Sequence, residues 1–201
     1  GRWWQRADHA GTTRWIAEHW LALVDECTPY PAQQCRELPR SWFDNRPLCR
    51  LGLRAARDFG LDRQALHRVG LVLVLPHSNQ LRGDPGLLAC LRDRVGDACR
   101  QGRQVAVKYH PRERDPDPAG LLAGGKVRAL PTLLPLELLL PLLPSGVSLL
   151  GEGSTALLAA HWLRPDLAVA DLGFSRDGYA ARARALFARH GIHCEPLVPE
   201  A

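Results

Sequence analysis

Short apolar runs alternate with amphipathic helical segments from Gly70 to the end of this 201-residue chain. The run 71–75 is continuously apolar and too short for a helix, which is typical of a strand buried on both faces. Strands separated by helices at this spacing indicate βα units, and therefore a mainly parallel sheet. This pattern restricts the chain to the α/β class of folds.

The pattern predicts strands at residues 71–75, 105–108, 127–130, 147–150, 167–170 and 192–197. It predicts helices at residues 85–100, shortly before Gly124, from Pro135 to about residue 143, at 154–163 and at 176–190. A polar loop, residues 76–80, follows the first strand. Together these elements predict a Rossmann-like parallel sheet with helices on both faces. Right-handed crossovers place all strand-to-helix loops at one edge of such a sheet, where open α/β folds bind ligands.

The first part of the chain, residues 1–69, lacks this alternation. Thr12 and Thr13 can cap a helix that carries an apolar face to about Glu26. Residues 28–47 are rich in Pro, Gln and Arg and indicate a linker, and a short helix is predicted from about residue 47 to 59. We therefore predict a helix and linker region, 1–69, and a Rossmann-like domain, 70–201.

Composition limits the possible binding partners and the cellular compartment of the protein. The net charge is +5, but the arginines are scattered among acids without interleaved aromatics, so we expect no nucleic acid partner. The six cysteines show no CxxC pairing and no metal-ligand spacing with histidine, which favours reduced thiols and no metal. The apolar run 133–143 is interrupted by two prolines and is too short to span a bilayer. We predict a cytoplasmic protein and leave open peripheral attachment to the inner face of the membrane.

Two polar segments follow predicted strands. The strand 105–108 runs into His110 and Pro111, and the proline ends the ladder and favours an extended backbone at His110. An ordinary strand-ending turn would have the same sequence. Residues 151–155, Gly-Glu-Gly-Ser-Thr, precede a predicted helix whose free N–H groups and hydroxyls could hold a phosphate. The segment lacks the lysine of a P-loop, and an ordinary helix cap remains the alternative.

Glu137 is the single acid in an otherwise apolar run. A carboxylate in the first turn of a helix is favoured by the helix dipole, which is a sufficient structural reason for it. A carboxylate can also accept hydrogen bonds from both vicinal hydroxyls of a ribose. Because the run follows a predicted strand, Glu137 is a candidate ribose ligand at the same sheet edge.

Residues 108–113 (Lys-Tyr-His-Pro-Arg-Glu), 134–137 (Leu-Pro-Leu-Glu) and 151–155 occur in an order that resembles bacterial sialyltransferases and polysialyltransferases of GT-B architecture. The resemblance extends from about Gly70 to the C-terminus and matches the C-terminal half of those enzymes. This half binds the cytidine monophosphate (CMP) part of the activated sugar donor. The resemblance therefore implies a nucleotide-sugar-binding domain over residues 70–201.

The resemblance also implies residue roles. His110 would contact the donor phosphate and assist the leaving group, Ser154 and Thr155 would hold the same phosphate, and Glu137 would bind the ribose. The implied donor site consists of Lys108, His110, Pro111, Glu137, Gly153, Ser154 and Thr155. No metal and no cofactor other than the CMP-sugar substrate is implied.

The family's catalytic acid lies in an Asp/Glu-Asp-Gly motif of the N-terminal half, and this sequence contains no such motif. The resemblance therefore implies the donor half of an enzyme that transfers sialic acid to a glycan acceptor once a missing N-terminal domain is supplied. Two alternatives stay open. One is a non-catalytic nucleotide-binding module, and the other is a GT-B transferase with a different nucleotide donor, such as a glycerophosphotransferase.

Overall fold

The computed structural model describes residues 17–22, 30–123, 125–173 and 178–195, with the backbone alone for 178–182. The chain divides into two units, Gly1–Asp44 and Asn45–Ala201. The larger unit includes a helix that precedes Gly70, whereas the sequence pattern places the domain boundary at residues 69 and 70. The difference arises because the pattern reveals where strands begin, not which earlier helix packs with them.

Two short parallel strands characterise the smaller unit. Strand β1 (His19–Leu21) pairs with strand β2 (Cys35–Glu37). The helix predicted to reach Glu26 is therefore wrong over residues 17–22, and the rest of that helix lies outside the described residues. The linker predicted over residues 28–47 is also wrong where β2 forms.

Ring contacts accompany this pairing. His19 stacks on Tyr30 with ring centroids 3.9 Å apart. Trp20 contacts Trp42 at 4.8 Å between centroids. Aromatic side chains favour strands when they pack on neighbouring segments, and here such contacts override a helical spacing of apolar residues.

The larger unit alternates strands with helices. Its helices are α1 (Asn45–Asp58), α2 (Arg63–Leu66), α3 (Ser78–Arg82), α4 (Pro85–Arg100), α5 (Leu136–Leu139), α6 (Thr155–Leu163) and α7 (Gly178–Arg189). Its strands are β3 (Val69–Val74), β4 (Gln104–Lys108), β5 (Val127–Leu130), β6 (Ser148–Gly151), β7 (Ala168–Asp171) and β8 (His193–Cys194). The six strands are all parallel, in the order β5-β4-β3-β6-β7-β8. The predicted α/β class and the parallel sheet flanked by helices are confirmed.

The connections run in two directions from the centre of this sheet. The chain passes from β3 through α3 and α4 to β4, and from β6 through α6 and α7 towards β7 and β8. Right-handed crossovers in opposite directions place these helices on opposite faces. The main core lies between the sheet and α4, and its members include Leu71, Leu73, Leu87, Leu91, Val105 and Val107.

The segment between β4 and β5 is irregular throughout its described part, so the short helix predicted before Gly124 is wrong. The buried Tyr109 hydroxyl donates to Asp117 at 2.5 Å. The Asp117 carboxylate also accepts the backbone N–H groups of Leu121 and Leu122, each at 2.9 Å. Because one side chain satisfies these backbone donors, the segment packs on the sheet without forming a helix.

The apolar run 133–143 forms two short pieces in place of one helix. Helix α5 begins directly after Pro135, as the proline predicts, and a 3-10 turn, Leu140–Leu142, continues it. Among the described residues, no helix has both the length and the apolar character needed to cross a membrane.

Candidate functional site

The strand register aligns the carboxyl ends of β3, β4 and β6, so the loops that follow them begin side by side. At the carboxyl end of β3, Val74 lies opposite Lys108 of β4 and opposite Gly151 of β6. The segments that follow these residues therefore leave the sheet side by side. This is the edge at which the sequence places its candidate residues.

The same edge contains the point where the strand order reverses. Strands β3 and β6 are neighbours, but the chain leaves β3 towards β4 and leaves β6 towards β7. The two loops diverge to opposite faces and open a crevice between them. Open α/β sheets bind ligands at such a switch point.

A cleft of about 820 Å³ occupies this crevice. Its polar lining includes His77, Asn79, His110, Arg112, Ser154 and Thr155. The structure thus brings together His110, Gly153, Ser154 and Thr155, four of the residues singled out from the sequence.

His110 is oriented by its own turn. Its Nδ1 accepts the backbone N–H of Arg112 at 3.1 Å, so the neutral ring carries its proton on Nε2. Partial burial lowers the pKa of His110, and the nearby His77, Arg112 and Lys108 lower it further, whereas Glu113 raises it. The hydrogen bond at Nδ1 and the lowered pKa both favour the neutral His110 imidazole with an Nε2–H donor.

A second histidine, His77, faces His110, and sequence reasoning did not single it out. Their ring centroids are 5.5 Å apart in an edge-to-face arrangement with a 69° interplanar angle. The Nδ1 of His77 accepts the backbone N–H of Asn79 at 3.3 Å and caps α3, so the predicted loop over residues 76–80 is wrong from Ser78 onward. The available signal was a histidine placed just after a buried strand, as His110 is.

Glu113 joins the two histidine-bearing loops. One carboxylate oxygen accepts the backbone N–H of Ser78 at 2.9 Å, and the other accepts those of Arg114 and Asp115 at 3.0 and 3.2 Å. Burial would raise the pKa of Glu113, but the N–H and hydroxyl of Ser78 and the two other N–H groups lower it to about 2. The ionised carboxylate therefore fixes the loop after β4 against the start of α3.

Replacing Glu113 by glutamine should lower the free energy of unfolding at neutral pH by about 1.5 kcal/mol, since an amide has a single acceptor oxygen and leaves part of these N–H groups without an acceptor. Because the folded pKa of Glu113, about 2, lies below its ordinary value of 4.5, this contribution is present above pH 4.5 and is lost as the pH falls towards 2. Urea unfolding across this range measures it. The exposed Asp93→Asn on α4 is the control. An equal deficit in Glu113→Gln at every pH would contradict the expectation.

The buried side chain of Asp171, which is 2% exposed, stabilises the Gly151–Thr155 segment through a hydrogen bond. One oxygen of Asp171 accepts the N–H of Gly153 at 2.7 Å, and the other accepts that of Gly173 at 3.2 Å. Burial raises the pKa of Asp171, although both N–H groups oppose that rise. Since its N–H is already engaged, Gly153 contributes the turn, at φ +58°, and not a phosphate donor.

Ser154 and Thr155 occupy the start of α6. The Ser154 hydroxyl oxygen accepts the N–H of Ala156 at 3.3 Å as the helix cap, which leaves its proton able to donate into the cleft. Gly151 permits this placement: a β-carbon there would lie 2.9 Å from the carbonyl oxygen of Val74 and 3.1 Å from Leu157. The hydroxyls therefore sit close to the end of β3.

Lys108, Pro111 and Glu137 do not line the cleft. Lys108 is 4% exposed, and its ammonium donates to the carbonyls of Tyr109 and Thr132 at 3.0 and 2.7 Å. Burial lowers the pKa of Lys108, and the nearby carboxylate of Glu137 partly offsets this. Lys108 thus ties the end of β4 to the loop that leads to Glu137.

Within the described part of the chain, no three histidine, cysteine or acidic side chains are grouped to hold a metal ion. The five cysteines it contains are free thiols. The chain matches no family model, no curated protein and no solved structure. Function is therefore argued from the geometry of the cleft.

Proposed function

We propose that the larger unit binds the nucleotide part of a CMP-sugar in the switch-point cleft and is the donor-binding half of a sialyltransferase-like glycosyltransferase. The observation that carries the proposal is the presence of His110, Ser154 and Thr155 in one cleft. His110 follows β4, whereas Ser154 and Thr155 follow β6, and the parallel topology brings these two segments together. The resemblance to the GT-B sialyltransferases predicts the same three residues at the donor phosphate.

The chemistry of the lining fits a phosphate. His110 offers an Nε2–H, the two hydroxyls at the start of α6 offer further donors, and Arg112 adds a positive charge. The partial positive charge at the start of α6 favours the same ligand. Donors that are already oriented need no rearrangement when the anion arrives, because their scaffold fixes them.

The proposed reaction breaks the bond between the sugar's anomeric carbon and a phosphate oxygen. The bonding electrons leave with CMP, and the acceptor hydroxyl forms the new bond as it loses its proton. Negative charge grows on the phosphate, where His110, Ser154 and Thr155 would stabilise it. These residues favour departure of CMP, and the acceptor side requires a separate base.

That base is assigned to a second domain. A general base must lie within hydrogen-bond reach of the acceptor hydroxyl, across the cleft from the donor. GT-B transferases use two Rossmann-like domains for this purpose, and the described residues contain one six-stranded parallel sheet. We therefore propose that this chain binds the donor and that transfer to a glycan acceptor requires a partner domain.

Glu137 is proposed as the ribose ligand. It lies in the first turn of α5, on a loop at the same sheet edge as the cleft. Its carboxylate interacts electrostatically with the Lys108 ammonium and offers oxygens that can accept from ribose hydroxyls. The same interaction supplies the structural alternative, in which Glu137 only balances the buried charge of Lys108.

Calorimetric titration of the purified chain with CMP tests the proposal. His110→Ala and Ser154→Ala should each weaken binding about tenfold to a hundredfold, since each removes a hydrogen bond to a charged group. Cys90→Ala, on α4 outside the cleft lining, should match the wild type. Unchanged affinity in both site variants, with folding intact, would contradict the assignment. If a different nucleotide binds more tightly than CMP, the sugar donor carries that nucleotide and not CMP.

A further inference from the structure

We propose that His77 and His110 together hold the donor phosphate as two neutral imidazoles, each donating its Nε2–H to the anion. This inference rests on the proposed function and adds to it a phosphate ligand, His77, that the sequence motifs do not include. It also assigns the protonation state, a neutral imidazole, in which both rings bind the phosphate.

The two histidines are built alike. Each follows a buried central strand, β3 or β4, and each accepts at Nδ1 the backbone N–H of the residue two positions later. A neutral ring that accepts at Nδ1 carries its proton on Nε2. Both rings line the same cleft. The local turns therefore select one tautomer for both rings and leave each with a donor.

Protonation of His110 would place an N–H at Nδ1, directly against the backbone N–H of Arg112 that Nδ1 now accepts. This hydrogen bond favours the neutral form. For His110, burial, His77, Arg112 and Lys108 lower the pKa, whereas Glu113 raises it. The cleft also contains the carboxylates of Asp84 and Glu152, and that of Asp84 is engaged as the cap of α4.

The separation of the rings suits a single anion. Ring centroids 5.5 Å apart in the lining of one cleft allow a tetrahedral phosphate to accept from both rings with different oxygens. A neutral pair avoids the repulsion that two imidazolium ions would suffer at this distance. Two neutral donors can thus stabilise the leaving phosphate without supplying a proton.

Paired substitutions separate a neutral donor from a charged one. Glutamine places an amide N–H near the position of the imidazole Nε2 but never titrates, whereas phenylalanine keeps a ring and removes the donor. We expect His77→Phe to weaken CMP binding about tenfold or more, and His77→Gln to stay within about threefold of the wild type. The same pair at His110 should behave alike. The exposed His67→Phe is the control and should bind as the wild type does.

The pH dependence supplies the second readout. Sulfate keeps its charge across the histidine range, so its affinity reports on the protein groups alone. Between about pH 7 and about pH 8.5, where an ordinary imidazole is mostly neutral, the wild type should bind sulfate with less than about a threefold change in affinity. A steep gain in affinity towards acid pH, with His77→Gln as weak as His77→Phe, would overturn the neutral pair and indicate an imidazolium ligand.

Comparing CMP with sulfate also tests the histidine pair separately from the proposed nucleotide site. If CMP binds and His77→Phe binds it as tightly as the wild type, the histidine pair is wrong and the nucleotide site stands. If His77→Phe weakens sulfate but CMP binds no better than sulfate, the pair stands and the nucleotide assignment is wrong. A folded wild-type chain that binds neither ligand contradicts both.

Discussion

Replacing Gly52 by alanine should destabilise the larger unit by about 2 kcal/mol or more, even though alanine is the better helix former. Gly52 lies within α1, and a β-carbon there would overlap the backbone carbonyl oxygen of Leu138 in α5. A backbone atom cannot rotate away as a side chain can, so α1 would have to lift from α5. Urea unfolding measures the loss.

Gly96→Ala, within α4, is the matched control. The nearest atom to a β-carbon at Gly96 is the end of the flexible Arg100 side chain, 3.3 Å away. This substitution should stabilise the chain by about 0.5–1 kcal/mol, because it removes only the helix cost of glycine. If Gly52→Ala stabilised the protein as much as Gly96→Ala does, α1 could not be packed on α5 as described.

Replacing Asp171 by asparagine should lower the free energy of unfolding by about 2–3 kcal/mol and weaken CMP binding as well. The buried carboxylate accepts the N–H groups of Gly153 and Gly173 with its two oxygens. An amide offers one oxygen, so one N–H would face the NH₂ group without an acceptor. The Gly151–Thr155 segment, which carries the Ser154 hydroxyl, would lose its support.

Two measurements check this expectation, urea unfolding for the stability and calorimetry with CMP for the affinity. Asp93→Asn makes the same chemical change at an exposed position of α4 and should leave both quantities near the wild type. A stable Asp171→Asn variant with full affinity for CMP would show that the segment holds its shape without the carboxylate.

The sheet was predictable because its central strands, β3, β4 and β6, are largely buried. Such strands have nearly continuous apolar sequences, and the predicted strand 105–108 lies within β4. Helix α4 was also predicted at its observed bounds, since Asp84 and Pro85 mark its start and Gly102 follows its end. In each case the local signal and the tertiary environment agree.

The errors occur where a single distant or local contact decides the structure. Strand β1 depends on its pairing with β2, which helical spacing of apolar residues cannot reveal. The irregular segment after β4 depends on Asp117, whose carboxylate gathers several donors. Neither contact leaves a periodic trace in the sequence.

The sequence was enough to predict which loops form the site, but not which groups the site residues contact. Parallel strands with right-handed crossovers were enough to predict that His110 and Ser154 share an edge. The engagement of the Gly153 N–H by Asp171, and of the Lys108 ammonium by two carbonyls, depends on contacts between distant segments. The facing position of His77 depends in the same way on the side-by-side placement of β3 and β4.

A crystal structure of the chain with bound CMP tests the nucleotide site most directly. We expect the phosphate in the switch-point cleft, within hydrogen-bond reach of His110 Nε2 and the Ser154 hydroxyl. A second groove, of about 480 Å³, lies at the amino-terminal ends of β3, β4 and β5 and includes Arg103, Lys126 and Arg128 in its lining. Binding of CMP in that groove, with the switch-point cleft empty, would contradict the account.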